Sequence, residues 1–537
     1  MARVAEVFVR SLKEAGVEVC FGIPGGPWIP YMEAMEREGL EFVLVANEAS
    51  AGFMADVTAR LTGRVAACHG TFGPGAVNLA TGVGCALLDR SPLLAFTSEM
   101  GDAMLQRVTQ MNIDHQRLFA PLTKKTWRLR PRDVAAQVRD AVGIARSEVP
   151  GPVHVGLPAD LADAEAAEEN LPGPTAVRQP TSPEPVLLEE AAAVLARARR
   201  PLLAVGLTAL RLAMAEDLLN FLSAHPMPVV LTPMAKGLVR EEHGCYAGVL
   251  FHAASDELAS FIARADLVLG VGYDPVEFNY ESWLPDVPLV HADTRPCDVP
   301  PGVRVAVDVV GDPRETLRFL ADRPPGPPAW EERELQDLRD RLHKRLRPAG
   351  AGFGPVAALR TLRKVLPRDG VLTCDVGAHT HLLGQLWETP APGLFVMTNG
   401  WSSMGFGIPA ALAAKKCLPH RPVVCATGDG GFLMMAGEIV TARRLGLSVV
   451  LVVLADRSLS LIRVKEAWRK TAPVGVDLHQ GPLLGADTFL GAPVFRADGP
   501  DSMRRACERA LDVQGPAIVE AVVDGTEYDA FIARRYK

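Results

Sequence analysis

The sequence predicts an α/β fold: three consecutive doubly wound domains, each on a mainly parallel sheet. Three observations carry this. Short Val/Leu runs alternate with Ala-, Arg- and Glu-rich stretches of helical length, the pattern of α/β layers. The 537 residues exceed what one core organises, at about 100–200 residues per domain. Two stretches are punctuated like linkers: 162–186 is acidic and then Pro-rich, and 323–352 runs from Arg323-Pro324-Pro325-Gly326-Pro327-Pro328 through a charged helix to Gly352. The predicted domains are therefore 1–162, 186–322 and 353–537.

Within the first domain an amphipathic helix, Val4 to Ala15, precedes a strand ending in Phe21-Gly22-Ile23-Pro24-Gly25-Gly26. Val43-Leu44-Val45 then leads into Asn47-Glu48 at a helix start, and Val65-Ala66-Ala67-Cys68 leads into Gly73-Pro74-Gly75. Glycine and proline thus mark the carboxyl ends of successive strands, where open α/β sheets place ligands. The middle domain repeats the rhythm at Leu202–Val205, Val229–Leu231, Leu267–Val271 and Leu289–His291, with few polar clusters at strand ends. In the last domain the strands are Val371–Cys374, Val423–Ala426, Val449–Leu454 and Ala517–Val522.

Composition narrows the function classes. Charged residues make up 22% and apolar residues 48%, with a formal net charge of −7, which argues against a broad nucleic-acid-binding surface. The nine cysteines are scattered without C-x-x-C or zinc-ligand spacing, as in a reducing compartment. No basic-then-apolar leader is apparent, and the longest apolar run, Val449–Ala455, is far short of a membrane span. A soluble cytoplasmic protein with neither membrane nor nucleic-acid partners is expected.

The chemistry concentrates in Val423 to Phe432, where a buried strand enters Thr427-Gly428-Asp429-Gly430-Gly431 and then a helix. Asp429 offers a hard oxygen suited to Mg²⁺, which bridges carboxylates and phosphates. The following helix and strand bring Asp456, 27 positions on, to the same sheet edge by right-handed crossover. A Gly-Asp-Gly turn by itself is common; with a second acid at that spacing it reads as a cation site.

These residues resemble the thiamine-diphosphate enzymes of the acetolactate synthase, pyruvate decarboxylase and benzoylformate decarboxylase superfamily, whose signature is Gly-Asp-Gly followed by a helix and a strand ending in Asn-Asn. The resemblance spans essentially the whole chain. It implies thiamine diphosphate held through Mg²⁺, with Asp429, Asp456 and the Ser458 carbonyl as metal ligands. Ala455-Asp456 departs from Asn-Asn, so an additional negative charge must be offset locally. The resemblance also names the domains pyrimidine-binding, middle and diphosphate-binding.

By the same resemblance, Glu48 in Asn47-Glu48-Ala49-Ser50-Ala51-Gly52 is the catalytic acid that hydrogen-bonds the aminopyrimidine ring and favours its imino tautomer. Asp375-Val376-Gly377-Ala378-His379 resembles the diphosphate-side loop, giving Gly377 and His379 as cofactor contacts with Gly428, Gly430 and Gly431. In Asn399-Gly400-Trp401-Ser402-Ser403-Met404-Gly405, the Ser402 carbonyl accepts from the cofactor's amino group and Met404 wedges between its rings. Pro24 and Gly73 complete the expected contacts.

Substrate-side residues are expected to decide the outcome. His69 stands where benzoylformate decarboxylase-like members place an active-site histidine, and a histidine can shuttle protons near neutral pH. Gln110 resembles a cofactor-facing Gln of related synthases, and Phe72 and Trp401 replace smaller residues. Gly272-Tyr273-Asp274-Pro275-Val276-Glu277-Phe278 with Trp283 resembles the catabolic acetolactate synthases, which do without FAD; no strong FAD-binding signal is present.

The leading reading is decarboxylation of a 2-oxo acid such as pyruvate followed by carboligation. The first alternative, favoured by His69, is a simple 2-oxo acid decarboxylase or a C–C lyase releasing aldehydes, of the benzoylformate decarboxylase/benzaldehyde lyase type; the remote one is a non-catalytic cofactor-binding subunit, and the substrates expected are small 2-oxo acids or aldehydes. Because family sites lie between subunits, a homodimer or homotetramer is implied.

Overall fold

The computed structural model describes residues 2–166, 179–277, 283–326, 329–347 and 352–532. Strands β1 (Val19–Gly22), β2 (Glu41–Leu44), β3 (Ala66–Gly70), β4 (Leu93–Glu99), β5 (Lys125–Arg128) and β6 (Val153–Pro158) form a parallel sheet in the order β2-β1-β3-β4-β6-β5. A second parallel sheet orders β12-β11-β10-β7-β8-β9, with β7 (Pro201–Val205), β8 (Val229–Leu231), β9 (Tyr246–Val249), β10 (Leu267–Val271), β11 (Leu289–Asp293) and β12 (Val305–Val310). The third runs β14-β13-β15-β16-β19-β18-β17, from β13 (Val371–Cys374), β14 (Phe395–Val396), β15 (Val423–Gly428), β16 (Val450–Ala455), β17 (Thr488–Phe489), β18 (Ala492–Ala497) and β19 (Ala517–Val522). Only the edge pair β17–β18 of that sheet is antiparallel.

The three doubly wound, mainly parallel sheets expected from the sequence are present, in chain order. The central strands are buried along their whole length, as β16 is, which is why they read as unbroken apolar runs. Strands β4, β5, β6, β9, β12 and β18 were not singled out from the sequence, nor were β14 and β17, whose two residues each are too few for any periodicity to register.

Winding direction reverses between β1 and β3 in the first sheet and between β13 and β15 in the third. At such points the loops leaving adjacent strands diverge and open a crevice. The loop after β1 carries Pro24, that after β3 Gly73 and that after β13 Gly377, while β15 runs directly into the helix that Asp429 opens.

The first and third domains share one apolar core in which Phe53 meets Phe406 edge-on, with ring centroids 5.6 Å apart. Glu438 Oε1 accepts from the backbone N–H groups of Ala46 and Asn47 at 3.0 and 3.1 Å, tying the loop before Glu48 to the third domain. Helices Glu48–Thr62 and Pro74–Leu88 cross at Gly52 and Gly82, where a Cβ on Gly52 would stand 2.6 Å from the Gly82 Cα. Arg90 holds the middle domain through two bonds to Asp274, at 2.6 and 3.0 Å.

Candidate active site

Functional side chains gather in two groups, at the switch points of the first and third sheets. In the first, Glu48 opens the helix Glu48–Thr62, and Asn47 Oδ1 caps it by accepting from Ala49 N–H at 2.8 Å. An acid in the first turn suits the positive end of the helix. Glu48 is 7% exposed. Asn78 Nδ2 donates to Glu48 Oε2 at 3.1 Å, and a Cβ on Gly75 would stand 3.2 Å from Oε1. One helix, Pro74–Leu88, therefore frames the carboxylate from both sides. Its first residue is preceded by Gly73 at φ 45°, ψ −97°; a Cβ there would lie 2.9 Å from the Met111 carbonyl oxygen, so glycine is required.

His69 sits at the end of β3, beside the Gly73 turn. It is fully buried, its ring stacked on Trp28 with centroids 3.9 Å apart. Nδ1 contacts the Ile23 carbonyl and Nε2 the Ser98 hydroxyl, each at 3.2 Å. Burial pushes the imidazole down to about 3, which favours its neutral form. Gln110 is exposed, in a segment with exposed Val108, Met111 and Ile113, and makes no described contact with Glu48. Trp401 packs against Gly84 of the first domain. Phe278, the last residue of the middle-domain motif, lies outside the described residues.

At the third sheet's switch point, Asp375 stitches three loops together. Its Oδ1 accepts from Val376 N–H at 2.7 Å and Gly405 N–H at 2.8 Å, and Thr427 Oγ1 donates to Oδ2 at 3.2 Å. Burial raises its carboxyl to about 6. Asp429 is buried at the start of the helix Asp429–Met435. Its Oδ1 accepts from Asp456 N–H at 3.3 Å; Oδ2 accepts from Arg457 N–H at 2.8 Å and contacts His479 Nε2 at 2.8 Å. Asp456 Oδ1 accepts from Ser458 N–H at 3.1 Å and Oδ2 from the Ser460 hydroxyl at 2.6 Å. Burial, then these contacts and the nearby Asp429 charge, leave the Asp456 carboxyl raised to about 6.

The remaining expected residues surround a cavity of about 110 Å³ lined by Gly377, His379, Met404, Gly428 to Gly431, Asp456 and Ser458. The glycines leave room: a Cβ on Gly430 would stand 2.8 Å from Met404 Cε, and one on Gly431 would stand 2.6 Å from Asp375 Oδ2. His379 Nε2 and Ser458 Oγ are buried without a protein partner, and the helix Ala378–Leu386 starts at the cavity. Unpaired donors, a helix start and two carboxylates fit a diphosphate with a hard cation. Ser402, at φ 52°, is exposed, and its Oγ donates to the Asn399 carbonyl at 2.6 Å.

Three family models cover most of the chain: the N-terminal cofactor-binding domain of thiamine pyrophosphate enzymes over residues 2–118, their central domain over 188–320, and their C-terminal cofactor-binding domain over 375–521. An acetolactate synthase large subunit from Corynebacterium glutamicum is 30% identical, over 97% of this chain and 86% of that protein. The chain belongs to the thiamine diphosphate enzymes of the acetolactate synthase type. A probable acetolactate synthase large subunit from Methanocaldococcus jannaschii is 29% identical over 97% of this chain and 92% of its own length, and an acetolactate synthase from Bacillus subtilis 28% over 97% and 93%.

In this thiamine diphosphate enzyme the N-terminal cofactor domain holds Glu48 and the C-terminal one holds Asp375, Asp429 and Asp456. Three partners escaped the sequence: Asn78 on Glu48, Asp375 as the loop tie and His479 on Asp429. Asp375 opens the diphosphate-side loop motif and Asn78 lies three residues beyond Gly73-Pro74-Gly75, but neither position carries a signal of its partner. His479 lies outside any motif and reaches Asp429 because residues 457–459 pair with 476–478.

Proposed function

We propose that this enzyme binds thiamine diphosphate through Mg²⁺, decarboxylates a 2-oxo acid such as pyruvate and joins the remaining fragment to a second carbonyl compound, as the names of its relatives suggest. The observation that supports this most is the buried acid Glu48, framed by Asn78 and Gly75, in a chain that also builds a glycine cradle with two hard carboxylates.

The bound cofactor supplies an electron sink for carbanion chemistry; the chain supplies the rest. Glu48 Oε2 is engaged by Asn78, so a proton on this carboxyl resides at Oε1. Asp429, Asp456 and the Ser458 carbonyl would hold the metal. Asp429 Oδ2 already takes two contacts, leaving Oδ1 with a lone pair to offer. His379 Nε2, neutral because burial pushes the ring down to about 4, can donate to or accept from a group in the cradle. FAD is not expected to be required.

Exposed Val77, Leu433 and Met434 lie on helices bearing the two half-sites, and exposed Val440 on the next helix, Glu438–Arg444, an apolar surface that supports a homodimer, or a tetramer built from it, with sites completed between subunits. The decarboxylase or lyase alternative rests on His69, whose buried ring has both nitrogens engaged; the products decide between the two readings.

The test incubates purified protein with pyruvate, thiamine diphosphate and Mg²⁺, then with other 2-oxo acids and aldehydes, and identifies products by mass spectrometry. The expected outcome is CO₂ and a carboligated hydroxy-oxo acid, both abolished by chelator and restored by Mg²⁺. An aldehyde as sole product would select the decarboxylase reading, and no CO₂ from any 2-oxo acid would sink both.

A further inference from the structure

From the Gly73 turn a chain of hydrogen bonds crosses the first sheet. Gly73 N–H donates to His115 Nε2 at 3.3 Å. His115 Nδ1 contacts the Thr97 hydroxyl at 2.8 Å, Thr97 contacts His154 Nε2 at 2.8 Å, and His154 Nδ1 contacts the Thr126 hydroxyl at 2.6 Å. Thr97, His115 and His154 are all buried, and the chain ends at half-buried Thr126 on β5. The Glu99 carboxylate lies 3.8 Å from His115 Nδ1, beyond hydrogen-bond reach, so Thr97 is the partner of that nitrogen.

The chemistry of these groups fixes a direction. A backbone N–H only donates, so His115 Nε2 must carry its lone pair. Burial lowers both imidazoles, His115 to about 4 and His154 well below its usual value, so each carries one proton. That of His115 then sits on Nδ1 and is donated to Thr97. The Thr97 hydroxyl donates to His154 Nε2, and His154 donates from Nδ1 to Thr126. In this order no buried hydroxyl proton lacks an acceptor, which would be costly.

We propose that His115 is a positioning residue of the active site, its tautomer locked by Thr97 and His154, and that its lone pair holds the Gly73 turn. The turn is conformationally demanding at φ 45°, ψ −97°, and it launches the helix that places Gly75 and Asn78 on Glu48. A third group holding an imidazole in one tautomer so that its other nitrogen can serve is the arrangement known from hydrolase triads; here the served group is a backbone amide. The inference rests on the reading of Glu48 as the site acid.

Thr97→Val keeps shape and burial but removes the acceptor that locks His115; Thr97→Ser keeps it. With Thr97→Val, amides of residues 71–77 should exchange with deuterium about tenfold faster in the cofactor-free protein. kcat should fall about ten- to hundredfold, with KM and cofactor Kd within about threefold. Thr97→Ser should behave as the native protein. His115→Gln, whose amide oxygen can accept from Gly73, should retain slow exchange, whereas His115→Phe should not. Native exchange and native kcat in Thr97→Val would overturn the proposal, as would equal effects of His115→Gln and His115→Phe; if the valine variant does not fold, the two His115 variants decide. Amide exchange needs no turnover, so accelerated exchange in a protein inactive on every substrate would count against the functional reading and leave the relay standing.

Discussion

The two half-sites occupy equivalent places in two similar sheets, yet opposite electrostatics hold them. Glu48 touches neutral groups, the Asn78 amide and the Gly75 backbone, on a helix whose starting turn is tied to the neutral His115. At the third sheet's strand ends Asp375, Asp429 and Asp456 are brought together, satisfied by backbone N–H groups, hydroxyls and one imidazole. A lone acid among neutral partners can change protonation without disturbing its neighbours. Burial raises Asp375 and Asp456, the Asp429 charge adding to the latter, and hard carboxylates brought together favour a cation. On the proposed function, one layer architecture separates a proton-handling half from a metal-handling half, with the side chains at the strand ends making the difference.

The strongest attack on this contrast is Glu48→Gln, which keeps the shape and removes the proton. Turnover should fall about 10²–10⁴-fold, with cofactor affinity, measured by calorimetry, within a fewfold; undiminished turnover would erase the distinction. Asp375→Asn probes the other half. An acid raised to about 6 when folded binds its proton more tightly than in the unfolded chain, so stability falls as pH rises from about 4 to about 6. Above that window the native protein forgoes up to about 3 kcal/mol, and the variant should show a flatter profile by denaturant titration at pH 4.5 and 7. Identical profiles would remove Asp375 from the cluster's electrostatics. Asn78→Ala should be milder, lowering kcat about tenfold by loosening Glu48; a change in KM alone would reassign it to substrate binding. The smallest catalytic effect is expected from His69→Phe. Unfolding should be easier by about 1–3 kcal/mol because Ser98 and the Ile23 carbonyl lose a partner, while kcat should stay within about threefold. A collapse of kcat at unchanged stability would return His69 to the site.

Local pattern made the fold and the core of each half-site legible. Strand rhythm, glycine at strand ends, and the strand-turn-helix around Asp429 depend on neighbouring residues, and β-period and turn chemistry register in any short window. His69 shows the limit of that legibility. Its place beside the Gly-Pro-Gly turn was evident, but not the Trp28 face stacked on it nor the two partners that occupy its nitrogens.

By itself, then, the sequence determined three α/β layers, the glycine-marked strand ends and the acids that follow them, because alternation and punctuation are properties of consecutive residues. Only the tertiary structure decided which partners complete those acids. Asn78 meets Glu48 across 30 positions, His115 meets Gly73 across 42 and His479 meets Asp429 across 50. Such pairs form only after sheets twist, helices cross at Gly52 and Gly82, and loops diverge at a switch point. The free energy that selects them comes from burial and hydrogen bonding summed over the packed domain, which no local window of sequence contains.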